Sequence, residues 1–329
     1  MIGLAVAVAF AASTPPAVPP QLLVERVRTG RTARHAVLAV RPNGRVVRTV
    51  VRGKGVSGVR WSPDARRLAA TRSRGEDGER EDVVLLTPRG RVVRRLTRDG
   101  RSFAPVWSPD GRWIAYARRA RGERGFLEAD LWRVRRDGTG RRRVLDSGAN
   151  VLALPSAWSP DGALIAYTRA VIDEQRYASP DGIQSSAHAV RPDGQDDRVL
   201  AEDGGTAAWS PDGRLLAFSS GRDHNGTLSY GDRESYATEL YVADADGANP
   251  RRLTKTEDVN EDQPAWSPDS DLIAFQRGEV VDNAQGTWIA MTDALASCAP
   301  DVLRDRRLDT WYASPVWHPG SRGEVALGC

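Results

Sequence analysis

The chain has 329 residues, 40% of them hydrophobic, enough to bury one large core in a single domain. Its formal net charge is only +4, and all of its 47 basic residues except Lys54 and Lys255 are arginine. Those arginines alternate with acids through the loops, as in Arg72–Asp82 (RSRGEDGERED), rather than clustering on one face. That pattern argues against nucleic acid or another polyanion as partner.

In chain order, Ile2–Ala12 is an uninterrupted apolar run too short to cross a bilayer as a helix. It contains the small-residue pattern Ala9-Phe10-Ala11 and is followed by the proline-rich Thr14–Pro20. Residues 1–12 are therefore expected to be a signal peptide and 13–33 a proline-containing tether. No Lys or Arg precedes the apolar run, which departs from the positive flank of such signals. Residues 34–329 are expected to fold as one unit, exported to the periplasm or beyond the cell and without a membrane span.

The segment His35–Val51 (HAVLAVRPNGRVVRTVV) has the pattern of a β-hairpin turning at Asn43-Gly44. Six copies of a tryptophan–turn–strand unit follow, starting at Trp61, Trp107, Trp158, Trp209, Trp266 and Trp317. They lie 46–57 residues apart, the period of a propeller blade. Each unit opens with an inner strand, A, that ends at the tryptophan. Ser-Pro-Asp-Gly then makes a type I turn: Ser accepts, Pro presets φ, and Gly closes the fourth position. Strand B follows as an apolar run such as Leu164–Thr168, and a variable loop leads to a C–D hairpin. These hairpins turn at Arg89-Gly90, Asp137-Gly138 and Asp193-Gly194, and at Asp244–Asn249 in ELYVA…RRLT.

The expected fold is all-β, a six-bladed β-propeller whose closing blade is shared between N- and C-terminal strands. The His35–Val51 hairpin supplies its C and D strands, and the segment from Trp317 its A and B strands, which leaves no exposed sheet edge. Cys298, at an irregular C–D connection, and Cys329, at the end of the closing B strand, become candidates for a disulfide between neighbouring blades.

The irregular sequence lies in the B–C loops, and rigid scaffolds carry binding function on such loops. The longest, Ser219–Thr238, makes Asp223, Tyr230 and Tyr236 candidate partner-binding residues. Residues three to five before each tryptophan should line the channel mouth. Among them Glu261, Asp262 and Tyr312 are the further candidates, and only one blade supplies carboxylates. No metal site and no cofactor is expected from so sparse a ligand set. There is no GxSxG or HExxH, and His35, His188, His224 and His318 stand in unrelated contexts. The Asp of each Ser-Pro-Asp-Gly reads as turn chemistry.

The stretch Glu239–Gly278, ELYVADADGANPRRLT followed by QPAWSPDSDLIAFQRG, resembles the repeat of TolB-type propellers, and the resemblance covers about Arg34 to Cys329. It implies a six-bladed periplasmic or secreted propeller that works by binding other proteins. TolB-type proteins also carry an α/β domain ahead of the propeller, which has no counterpart here, so a Tol–Pal role is not carried over. The same repeat occurs in propellers that gate prolyl-oligopeptidase-type peptidases. The function expected is an exported, non-enzymatic, monomeric scaffold holding a protein or peptide partner of the cell envelope. The alternative is a propeller hydrolase, lactonase or lyase, or the gating subunit of a separately encoded peptidase.

Overall fold

The computed structural model describes residues 21–28, 34–42, 45–52, 55–75, 80–120, 128–177, 179–230, 233–256, 259–279, 284–291, 301–303, 310–317 and 319. Apart from one helical turn at Pro180–Gly182, the regular elements among the described residues are strands. The first three are β1 (Leu22–Arg28), β2 (Arg34–Val40) and β3 (Val46–Arg52). A four-stranded meander follows: β4 (Val56–Trp61), β5 (Leu68–Arg74), β6 (Arg80–Leu86) and β7 (Val92–Arg95). The next holds β8 (Ser102–Trp107), β9 (Trp113–Arg119), β10 (Ala129–Arg135) and β11 (Arg142–Leu145). Then come β12 (Val151–Trp158), β13 (Ile165–Ile172), β14 (Ile183–Val190) and β15 (Arg198–Ala201). A single parallel bridge, Ala129 to Leu152, joins these last two meanders into one eight-stranded sheet.

The fourth meander is β16 (Gly204–Trp209) and β17 (Leu215–Ser220), then, after an inserted hairpin of β18 (Thr227–Tyr230) and β19 (Arg233–Tyr236), β20 (Glu239–Asp244) and β21 (Arg251–Arg252). The fifth is β22 (Val259–Trp266), β23 (Leu272–Glu279), β24 (Ala284–Met291) and β25 (Asp301–Leu303). Finally β26 (Thr310–Trp317) pairs with β1, giving a sheet in the order β26-β1-β2-β3.

That last sheet corrects the expected division of strands. Leu22–Arg28, read from sequence as tether, is the second strand of this sheet, so three of its strands come from the N-terminal side and a single strand from the C-terminal side. The physical reason lies in its residues: Leu22 and Val24 pack on Leu272, Ala274 and Trp317, while Leu23 faces the opposite way onto Val37, Val59 and Trp61. An apolar residue on each face is what a strand held between two sheets requires. Cys298 and Cys329 lie outside the described residues.

Among the described residues six apolar clusters lie between neighbouring sheets, from Leu23, Val37, Trp61 and Leu86 on to Leu22, Leu38, Leu272 and Trp317. The repeated tryptophan pins these interfaces by a polar bond as well as by its ring. The indole Nε1 of Trp107 donates to Arg60 O (3.3 Å), that of Trp266 to Ala208 O (2.9 Å) and that of Trp317 to Ala265 O (3.0 Å). Each acceptor is the residue just before the tryptophan of the preceding unit.

The Ser-Pro-Asp-Gly turn is as the sequence reads it. Gly162 N donates to Ser159 O (2.8 Å), Ser159 Oγ to Asp161 Oδ1 (2.6 Å), and Leu164 N back to Ser159 Oγ (2.9 Å). The hydrogen bonds from Ser159 and from Ala163 N hold the Asp161 carboxyl below its usual range. The fourth turn position takes positive φ, at Gly111, Gly162 and Gly213, but also at Ala65 (φ 55°) and Ser270 (φ 69°).

The ELY…RRLT pattern has its own account. Thr254 Oγ1 donates to the buried Glu239 Oε2 (2.9 Å) and accepts from Leu240 N (2.9 Å), and Arg252 pairs with Glu239 Oε1 (2.5 Å). Asp82, Thr97 and Arg95 repeat the arrangement in the β4–β7 sheet. In both sheets the acid, arginine and threonine clamp the end of the meander to its third strand.

Candidate functional site: a polar cavity across three sheets

The innermost strands all break register ahead of their tryptophan, between Ser57 and Arg60, Phe103 and Val106, Pro155 and Ala157, Gly204 and Ala207, and Asp262 and Ala265. Such bulges bend a strand and re-aim its side chains. Ala104 (φ 51°) and Gln263 (φ 55°) occupy the left-handed region at these bulges. Non-glycine residues rarely sit there, and strain of this kind concentrates where a site is being shaped. Next to Gln263, the Asp262 side chain is held by Ser219 Oγ (2.9 Å) and by Gln263 N (2.6 Å).

Asp262 lines a cavity of about 640 Å³ that spans the sheets of Trp158, Trp209 and Trp266. Leu154, Gly205 and Thr206 of the inner strands form its floor, Thr168, Gln184 and Ser219 some of its sides, and His224 and Tyr236 of the long insertion a wall. The volume is within the range of sites that hold a small molecule or a short chain segment. Among the described residues three carboxylates line it, Asp181, Asp203 and Asp262, and no Lys or Arg does. Asp181 is paired with Arg176 (2.6 Å). The Asp203 carboxylate has no hydrogen-bond or ion-pair partner among the described residues, and Asp262 receives only neutral donors.

The wall is built by specific contacts. The His224 and Tyr236 rings stack at 4.1 Å with 4° between their planes. Asn225 Nδ2 donates to Glu239 Oε1 (2.8 Å) and to Thr256 O (3.1 Å), tying the insertion to the clamp beneath it. Asp223 accepts from the Tyr241 hydroxyl and pairs with Arg252 (2.9 Å).

The residues singled out from sequence therefore divide. Tyr236 and Asp262 line the cavity. Asp223 holds the base of the insertion. Glu261 is fully buried on the other face of β22, paired with Arg277 through Nε (2.7 Å), and burial pushes its carboxyl upward against the pull of that arginine. Tyr230 ends β18 and Tyr312 lies in β26, and their side chains lie outside what the structure describes. Sequence reasoning missed Asp203 and His224. Asp203 stands one residue before the Gly204-Gly205-Thr206 mouth segment, and that position was the available signal.

Among the described residues no helix is long and apolar enough to cross a membrane. No family model matches the sequence. A curated relative, the "Uncharacterized peptidase YuxL" of Bacillus subtilis, is 29% identical over 147 residues, 43% of this chain and 20% of that protein. The match thus spans about a fifth of that relative's length. Among solved structures, TolB from Acinetobacter baumannii superposes with a TM-score of 0.62 at 16% identity, covering 91% of this chain and 66% of the other. A chain of a nidogen/laminin complex gives 0.61 at 11% identity, covering 92% and 100%. An oligogalacturonate lyase from Vibrio parahaemolyticus gives 0.51 at 14%, covering 88% and 73%. At such identities the likeness is one of fold, a propeller scaffold shared with TolB-type proteins. These comparisons also correct one expectation. The sequence argued against an enzyme from missing motifs, but a relative named as a peptidase and a lyase of the same fold overturn that exclusion.

Proposed function

We propose that the chain is an exported six-bladed propeller, closed by one C-terminal and three N-terminal strands, that binds a polypeptide carrying basic side chains in the cavity at Asp203 and Asp262. The carrying observation is the cavity's charge: among the described residues carboxylates line it and no Lys or Arg does, while the protein as a whole is positive at +4. Overall charge would repel a basic segment, so attraction must come from the local field of the cleft. The same lining disfavours a polyanionic sugar such as oligogalacturonate, which needs cationic partners. Tyr236 stacked on His224 offers an aromatic face to an arginine or lysine side chain. The peptidase-named relative favours a second reading, in which the held segment is presented to a hydrolase.

Calorimetric titration tests the proposal with short Arg/Lys peptides and with oligogalacturonate. Peptide binding weakened at least about tenfold by Asp203→Asn with Asp262→Asn supports it. Binding of oligogalacturonate alone, or peptide binding indifferent to both substitutions, overturns it.

A further inference from the structure

His188, which the sequence leaves without context, lies between a hydroxyl and a carboxylate. Its Nε2 is 3.0 Å from Ser186 Oγ and its Nδ1 is 3.3 Å from Asp197 Oδ1. Ser186 and His188 are two residues apart on β14, so strand alternation puts both side chains on one face. Asp197 returns beside them at the end of the turn into β15. With the imidazole protonated on Nδ1, that N–H donates to Asp197 and leaves Nε2 to accept the Ser186 proton. The buried Tyr167 hydroxyl donates to the same Asp197 oxygen (2.7 Å), and the Tyr167 ring packs 5.3 Å from the imidazole. Both the carboxylate and the ring are thereby held in place.

From this arrangement we infer that Ser186, His188 and Asp197 form a serine-nucleophile triad that hydrolyses carboxylic esters, at a site separate from the cavity. A triad is recognised by geometry and role: nucleophile bonded to base, base bonded to an orienting acid. All three roles are filled in the right order of atoms. Accessibility fits too, since the His188 side chain is 12% exposed, Asp197 is 36% exposed and Ser186 is half-buried. Arg169 stands directly opposite Ser186 in the β13–β14 ladder, so its side chain leaves on the same face. Its charge acts on the Asp197 carboxylate and the Tyr167 hydroxyl of the same cluster, which puts a cationic donor beside Ser186 where an oxyanion would develop.

A single donor of this kind limits the substrate class. Each oxyanion donor is worth about 10²–10³ in rate, so a one-donor site suits esters with good leaving groups rather than amides. In the step, the Ser186 proton passes to His188 Nε2 as Oγ bonds the ester carbonyl carbon. Collapse breaks the carbon–alkoxy bond, and the alcohol leaves with that proton. Water, deprotonated by the same nitrogen, then frees the acid and restores the Ser186 hydroxyl. Ser186 and His188 are the catalytic pair, and Asp197 and Tyr167 position them.

The test is labelling of the full chain with a fluorophosphonate, mapped by peptide mass spectrometry, together with hydrolysis of p-nitrophenyl acetate. A Ser186 adduct in the folded wild type is expected. Ser186→Ala and His188→Gln should each lower kcat/KM at least about 100-fold, and Asp197→Asn should lower kcat while KM stays unchanged. Absence of a Ser186 adduct on folded wild type, or wild-type hydrolysis by Ser186→Ala, overturns the inference. The labelling arm needs no variant and so does not depend on any variant folding.

Discussion

Two tryptophans of the repeat give a paired test of how the sheets are held together. Trp266 is 7% exposed and its Nε1 donates to Ala208 O at 2.9 Å. Trp158 occupies the same place in its unit, but its buried Nε1 has no hydrogen-bond partner among the described residues. Replacement of either by Phe removes a comparable ring fragment and leaves a comparable void. The polar terms differ in sign. Trp266→Phe deprives a carbonyl of its donor, at a cost of about 1–3 kcal/mol, whereas Trp158→Phe deletes a buried donor that was already unsatisfied. The first variant should therefore be less stable than the second by about 2 kcal/mol. With a urea m-value of about 3 kcal/mol/M, that is a midpoint difference of roughly 0.7 M. Urea unfolding followed by tryptophan fluorescence and by far-UV circular dichroism reads it directly. Equal midpoints, or Trp158→Phe falling lower, would refute the role assigned to the indole bond.

Other expectations follow from single residues. Ala65→Gly should raise stability by roughly 0.5–1 kcal/mol in the same urea assay, because Ala65 sits at φ 55° where the turns at Gly111, Gly162 and Gly213 carry glycine. Gly247→Ala should destabilise more than Gly138→Ala, although both have positive φ. A Cβ on Gly247 would stand 1.9 Å from Leu200 O of the neighbouring sheet, whereas one on Gly138 meets nothing within 4 Å. Stability should also fall at low pH through the turn aspartates. Asp161 and Asp212 are held below their ordinary range by Ser159 and Ser210 and by backbone N–H groups. Their contribution is present above the unfolded value of about 3.9 and is lost as pH falls through the folded one. A urea midpoint that stays flat from pH 6 to pH 2 would contradict this, and Asp161→Asn should blunt the drop.

Much of the architecture is legible in the sequence because its signals are local and repeated. Ser-Pro-Asp-Gly encodes a turn within a few residues, and the spacing of the tryptophans encodes the sheets. The β26-β1-β2-β3 sheet was not legible because its partners are far apart: Leu22–Arg28 has no turn motif before it, and only its pairing with Thr310–Trp317 reveals a strand. The same limit explains the cavity. Asp262 was legible as a mouth residue of its own unit. Asp203 and His224 belong to a loop and an insertion, and only the packing of three sheets brings them to the same space. His188 stayed opaque for a different reason. Ser186 is two residues away in sequence, but Asp197 joins them only through the β14–β15 connection, and the turn signal at Asp193-Gly194 says nothing about which face receives it.

The central claim, an acid-lined cavity that takes a basic polypeptide, is met most directly by affinity capture from envelope and secreted fractions of the source organism. Wild type and the Asp203→Asn, Asp262→Asn double variant serve as matched baits. The account expects one stoichiometric protein bound through a lysine- or arginine-rich segment, held by the wild type and lost from the variant. Equal retention by both baits, or recovery of an acidic polysaccharide in its place, would contradict it.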